Sequence, residues 1–378
     1  MDVPSIRIVF AFMKFAGNEP RAKRSWTGKI RCCFNVLWCF GVLYLAALTF
    51  FLEENLTFLK ITGSIDIMFL FSHCSLKLAS SCLQQPIMFE LLERRKYFWD
   101  MENSSVKENK EYRKKVLGYA RFIILFFIVA SALTCASFVL QPLVLRKKVL
   151  GFNTYIPQNI SYYVLAVYEF YAMLLVLTGV LPFDLCVTYI MCLISIQWKG
   201  LNTEIKNTLD VNIDTEEDRQ MFKTKVKRCV EHHNFLKRYI EDYNKSLSLG
   251  LLAYMIIFVM SNCLNLFIVS TGPEIRELVR CIFYQFNLGN QFVLTYVIPA
   301  QFLSTEADLT EEIAFDTKWY NTACKDKKLF IWMISSVAKN KVALNAGKIF
   351  TINYEFSLKT YRSILSYYMF LRTMGRNS

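Results

Sequence analysis

The chain has 378 residues, 54 % of them apolar, 15 % aromatic and only 20 % charged, with a formal net charge of +13. Soluble globular chains are nearer half apolar and a quarter charged, so this balance leans toward lipid and excludes disorder, a collagen and a small disulfide scaffold. A basic surplus raises nucleic acid as a partner, but in an apolar chain the first question is where the basic residues sit.

Spanning a hydrocarbon core about 30 Å thick takes roughly 20 mainly apolar helical residues. Seven stretches qualify: 32–52, 61–83, 117–140, 162–184, 246–270, 280–303 and 345–370. Ahead of them, residues 1–31 form a cytosolic segment. Its Ile6, Val9, Phe10 and Met13 share one helix face, read as lying on the inner leaflet, and a basic cluster follows at Arg21, Lys23 and Arg24. No signal-peptide cleavage site follows, so span one is expected to act as the insertion signal. Residues 32–198 carry spans one to four and 199–245 a cytosolic helical segment. Residues 246–303 carry spans five and six, 304–344 a second cytosolic helical region, and 345–378 the last span and the C-terminus. Lys348, Glu355, Lys359 and Arg362 interrupt span seven, so protein or water must shield it.

Basic residues fix the orientation. With the N-terminus inside, the inner segments hold 31 Lys and Arg and the outer ones 8. The positive-inside rule then places the N-terminus in the cytosol and, after seven crossings, the C-terminus outside. The fold class expected is an all-α membrane protein with a helical cytosolic region. The surplus serves as orientation signal and as attraction to the anionic leaflet of the lipid bilayer, so no nucleic acid is needed. The sequons at Asn55 and Asn159 fall in outer loops and are candidate glycosylation sites. Most of the twelve cysteines lie in spans or inner segments, so no disulfide-held outer domain is expected, and no C-x-x-C pair suggests metal.

Within the spans, Asp66, His73 and Lys77 lie on one side of span two, at steps of seven and four. Intramembrane ionisable groups default to function. Lys77, like Arg121, is placed to snorkel toward the inner surface. Asp66 fits an interhelical hydrogen bond or a ligand corner, His73 is the stronger pocket candidate, and Glu169 is a possible partner. In the cytosolic segment, Phe222, Val226, Cys229, His233, Leu236, Ile240, Tyr243 and Leu247 alternate steps of four and three, a heptad seam. The seam suits a subunit anchor or an intrachain helical hairpin. The adjacent His232 and His233 point about 100° apart on a helix and do not make a metal motif. In the last span, Ser363, Ser366, Phe370 and Thr373 share one face, flanked by Met374. Small hydroxyls leading to a bulky apolar ring suit a pore that closes by dewetting.

No catalytic motif occurs: there is no G-x-S-x-G, H-E-x-x-H or P-loop, and His appears only three times. An enzyme, a cofactor and a metal are therefore not expected. An inner N-terminus, with no D-R-Y and no N-P-x-x-Y, argues against a G-protein-coupled receptor. The proline stretches at Pro182 and Pro299 do not read as the repeated broken spans of a transporter.

The C-terminal third resembles the insect odorant receptor family. The likeness runs through Trp319-Tyr320 and Lys328 to Ile334, and is strongest in Leu344-Asn-Ala-Gly-Lys-Ile-Phe350 and Ser366-Tyr-Tyr-Met-Phe-Leu371, with Leu365 where the family often has Tyr. Elsewhere the likeness is one of layout. A gustatory-receptor-like channel is the nearest alternative, but its usual ending, T-Y-x-x-x-L-x-Q-F, is absent.

The resemblance implies a ligand-specific subunit of an odour-gated, non-selective cation channel in the plasma membrane of an olfactory neuron dendrite. It implies a heterotetramer with a shared co-receptor, and permeating cations along the seventh span, with Phe370, Thr373 and Met374 as gate. It also implies a cytosolic anchor and a pocket for a small volatile odorant in the outer half of spans two, three, four and six. Such a pocket is a dry aromatic cavity with one or two polar groups. Residues of that kind are Phe69, His73, Phe138, Phe170, Tyr171, Tyr284 and Asn287.

Overall fold

The structure, a computed structural model, describes residues 4–20, 26–53, 58–145, 151–152, 154–157, 159–272, 275–316, 325–338 and 342–377. Side chains are described at these positions except 4, 58, 59, 137–145, 276, 277, 280, 333–338 and 374–377. Asn55, Trp319 and Tyr320 lie outside the described residues, and Phe138 and Met374 outside the described side chains.

The chain is almost wholly helical. In order come α1 (Pro4–Ala16), α2 (Trp26–Leu52), α3 (Phe58–Arg94), α4 (Lys107–Leu145), α5 (Tyr162–Leu175), α6 (Leu181–Leu209), α7 (Glu216–Ser270), α8 (Ile275–Gln291), α9 (Ile298–Asp316), α10 (Lys325–Ala338) and α11 (Tyr354–Asn377). A two-stranded antiparallel hairpin, β1 (Asn345–Ala346) and β2 (Phe350–Thr351), precedes α11. Among the described residues, four helical stretches are long and apolar enough on their own to cross a membrane: Trp26–Leu52, Lys107–Ala136, Tyr162–Leu209 and Glu216–Ser270. The other three expected spans fall on α3, on α8 with α9, and on α11, whose polar side chains lower their apolarity.

Pro182 and Pro299 each leave a mark in the backbone. Proline lacks an N–H and its ring clashes with the carbonyl four residues back, so a helix that keeps going must widen or kink. Here α5 joins α6 through the π-helical turn Val176–Val180, and α8 joins α9 through Phe292–Val297. In the second of these turns two carbonyls find outside donors: Thr188 Oγ1 donates to Thr295 O at 2.8 Å, and Tyr119 OH to Leu294 O at 2.6 Å. The two stretches, unrelated as a repeat in sequence, thus share one device.

The apolar face of α1 does not lie on a leaflet. Ile6, Val9, Phe10 and Met13 are each at most 2 % exposed and belong to the core built largely by α6 and α7. Polar pins hold α1 inside the protein: Asn35 Nδ2 donates to Ala16 O at 3.1 Å, and Asn18 donates to the Ser81 hydroxyl. Gly17, at φ +90°, ends the helix, and the Asn18 N–H turns back to Met13 O at 2.9 Å.

A capping box at Thr215 and Asp218 starts α7, which runs unbroken for 55 residues. The heptad seam is consumed within the chain. Phe222 meets Phe330 of α10 with ring centroids 6.2 Å apart, and His233 meets Trp198 of α6 at 5.1 Å. Tyr243 OH donates to Val187 O at 2.9 Å. His232 stacks on a different ring, Trp99, at 4.0 Å, so the two histidines face separate partners.

The last helix begins later than the sequence suggests. Residues 345–351 form the hairpin, and α11 starts at Tyr354. Gly347 and Lys348 both have positive φ, as a tight primed turn requires. The α7 helix fixes this turn: Gly347 N–H donates to Ser248 O at 2.9 Å, and Lys348 N–H to Ser248 Oγ at 3.1 Å. These two bonds from the turn to α7 hold it in place of one more turn of helix, and Lys348 stays out of the span.

Candidate functional site

Four helices converge on one cavity. From α3, Asp66, Leu70 and His73 follow steps of four and three and so face one way; from α4, Phe127, Ser131 and Thr134 do the same. The α5–α6 bend contributes Met173, Val176, Leu177, Val180 and Leu181, and α8 contributes Tyr284, Asn287, Leu288 and Gln291. Measured to the centre of a water-sized sphere, the space is about 80 Å³. Its walls are mainly aliphatic, with a few polar groups on α3, α4 and α8, the usual layout of a small-molecule site.

The π turn shapes one wall. Gly179 sits so close to α3 that a methyl group there would meet Leu78 Cδ2 at 2.5 Å. The bend can approach because Gly179 has no side chain.

Polar groups in the corner are unequally satisfied. Asn265 Nδ2 donates to Asp66 Oδ1 at 2.7 Å, and Ser261 Oγ to Tyr284 OH at 3.1 Å. Asn287 uses its amide N–H groups on Thr134 Oγ1, at 2.6 Å, and Phe283 O, at 3.2 Å. Its Oδ1, and Nε2 of the 3 % exposed His73, are buried and have no hydrogen-bond partner among the described residues.

Beneath the cavity lies a charged centre. Asp184, fully buried, accepts from Lys77, Gln291 and Tyr296. The Lys77 ammonium also sits 4.2 Å from the Tyr254 ring centroid. Lys77 therefore does not snorkel: it is 3 % exposed and paired inward. A nearby carboxylate outweighs the reach to water. Arg121 is exposed.

From this corner a line of rings leads to α11. His73 stacks on Tyr254 at 4.8 Å, Tyr254 meets Phe258 at 5.9 Å, and Phe258 meets Tyr361 of α11 at 6.2 Å. Tyr361 OH donates to Gly289 O at 2.7 Å, two residues from Asn287.

The structure brings His73, Tyr284 and Asn287 together at the cavity and leaves the other described candidates elsewhere. Phe69 is half-buried on α3 away from the lining, and Phe170 is exposed on α5. Tyr171 belongs to a separate cluster, with its ring 4.8 Å from Trp38 and its OH donating to Asn35 Oδ1 at 2.8 Å. Glu169 turns to the backbone of residues 151 and 152. Its carboxylate accepts the backbone N–H groups of Gly151, at 2.8 Å, and Phe152, at 3.3 Å. Sequence reasoning missed Asp184, Gln291 and the small lining residues Ser131 and Thr134. A carboxylate inside the apolar run Leu181–Cys186 was the available signal for Asp184.

On α11, Ser363, Ser366, Phe370 and Thr373 are all exposed, while Ser357, Thr360 and Ile364 are buried. Asn159 is exposed in a turn.

The family model described as 7tm Odorant receptor matches residues 57–369. Two solved structures of the insect olfactory receptor OR5 from Machilis hrabei share the fold at 16 % identity. The one in complex with eugenol superposes with a TM-score of 0.82 over 98 % of this chain and 97 % of that chain. The other gives 0.81, over 97 % of each. No curated protein matches the sequence.

Proposed function

The chain belongs to the 7tm odorant receptor family, and from that premise we propose that it is a ligand-specific odorant receptor subunit that opens a cation channel. The observation that carries this reading is the cavity between α3, α4, the α5–α6 bend and α8, with aliphatic walls and a polar corner at His73 and Asn287. A solved relative of the same fold was captured with eugenol, a small aromatic molecule.

In this reading the chain crosses the plasma membrane seven times with its N-terminus in the cytosol. It joins a shared co-receptor in a heterotetramer, and α11 flanks a non-selective cation pore. The hydroxyl-bearing face of α11 is exposed on the single chain, which leaves it free to meet water or a neighbour. Phe370, with Thr373 and Met374, forms the gate. Asn55 and Asn159 carry glycans on the outside. Ligand in the cavity moves His73 or Asn287, and the Tyr254–Phe258–Tyr361 line passes that movement to α11.

Co-expression with the co-receptor tests the proposal. Volatiles should evoke robust cation current from the pair and little from this chain alone. A large ligand-gated current without any partner overturns the heteromer, and silence of the pair to a broad volatile panel overturns the receptor assignment.

A further inference from the structure

We infer that the cavity selects volatiles bearing a hydroxyl group, with Asn287 Oδ1 accepting the hydroxyl proton and His73 Nε2 as the second polar anchor. The inference rests on the odorant-receptor reading and adds the chemical class of ligand. It follows from which hydrogen-bonding groups are already committed. The amide of Asn287 donates to Thr134 Oγ1 and Phe283 O, and that of Gln291 donates to Asp184. Both amide donors of the α8 wall are therefore engaged. Among the described residues, the buried lining atoms without a partner are an acceptor, Asn287 Oδ1, and an imidazole nitrogen, His73 Nε2, on a side chain only 3 % exposed.

A buried acceptor gains from a ligand that donates, and it penalises one that only accepts. Esters, ethers and ketones only accept; hydrocarbons do neither. A hydroxyl donates one hydrogen bond and accepts others, so it serves Asn287 Oδ1 and either tautomer of His73. The aliphatic part of the lining, including Leu70, Val176, Leu177 and Leu288, offers no polar match and takes an alkyl or aryl body.

The test is a comparison of compounds of equal heavy-atom count on the complex with co-receptor: 1-octanol, 1-methoxyheptane and nonane, then 2-phenylethanol, benzyl methyl ether and propylbenzene. In at least one series the alcohol should gate current at a concentration about tenfold or more below its ether and its hydrocarbon. Asn287→Leu should shrink that gap, whereas Asn287→Asp, which keeps an acceptor, should preserve it. Ethers or hydrocarbons acting at equal or lower concentration overturn the selectivity and leave the receptor reading intact. Octylamine acting more potently than 1-octanol overturns the hydroxyl assignment in favour of a cation held by Asp66. If Asn287→Leu does not reach the surface, an unchanged alcohol-to-ether ratio in His73→Phe together with a lost ratio in Asn287→Asp likewise overturns it. No response to any volatile removes both this inference and the reading beneath it.

Discussion

Lys77 and Asp184 pair across 107 residues of sequence, with side chains 4 % and 0 % exposed. Neither is independent of the cavity, because Gln291 lines that space and donates to the same carboxylate. Removing one buried partner leaves the other charge uncompensated, which costs about 3–5 kcal/mol. Lys77→Met should therefore lower the thermal stability of the detergent-solubilised protein sharply. Adding Asp184→Asn should recover most of the loss, since the amide oxygen still accepts from Tyr296 or Gln291. Equal stability of wild type and Lys77→Met in a melting assay refutes the pairing.

Tyr361 is the contact between the ring line and the last helix. Tyr361→Phe keeps the ring and removes only the bond to Gly289 O, worth about 1 kcal/mol net. The concentration for half-maximal current should rise several-fold, while surface expression stays unchanged. A dose–response curve that does not move places the coupling elsewhere.

Phe370 is 60 % exposed on the single chain, on the face shared with Ser363, Ser366 and Thr373. If this ring closes the pore by excluding water, Phe370→Ala should raise the leak current without ligand or change cation permeability. Basal current and reversal potential identical to wild type would count against the gate.

Gly17 and Gly118 respond oppositely to the same substitution. A methyl at Gly17 would meet Gly28 O at 2.6 Å, on a backbone at φ +90°, so Gly17→Ala should cost about 1–3 kcal/mol. Gly118 lies inside α4 with nothing within 4 Å of an added methyl, so Gly118→Ala should gain up to about 1 kcal/mol in helix propensity. Melting temperatures moving in the same direction would contradict this.

Acid should loosen the N-terminal half of α7. Burial against Trp99, with Arg228 4.8 Å from the same ring, pushes His232 down to about 3, and burial pushes His233 down to about 4. Both lie below the ordinary value near 6.5, so their contribution is complete above pH 6.5. It is lost progressively as the pH falls toward 4 and then 3. Burial shifts Glu306 upward, and its protonation acts in the opposite sense. The melting temperature of wild type minus that of His232→Gln should therefore shrink as pH drops from 7 to 4.5. A difference that grows on acidification reverses the sign of the argument.

Sequence periodicity located the long apolar helices well, since α2 and α4 bury and expose side chains at helical spacing along almost uniform apolar runs. It erred for α1, where partners far along the chain decide the outcome. Ile6, Val9, Phe10 and Met13 look alike whether they meet lipid or protein; only Asn35 and Ser81 decide that they go inside. The candidate site suffered from a different bias. Aromatics were expected to line it, but large rings such as Phe69 and Tyr171 fill space rather than leave it open. A cavity persists where residues are small, as at Ser131 and Thr134, and those carry no conspicuous signal in a sequence rich in Phe and Tyr.

The α7 helix has 55 residues and no proline, so at 1.5 Å per residue it reaches about 80 Å. A rod of that length is a lever. A tilt of about 5° at one end displaces the other by roughly 7 Å, by the same geometry, which is more than a side chain's width. Whatever clamps its lower end therefore sets how far the upper end can swing beside His73.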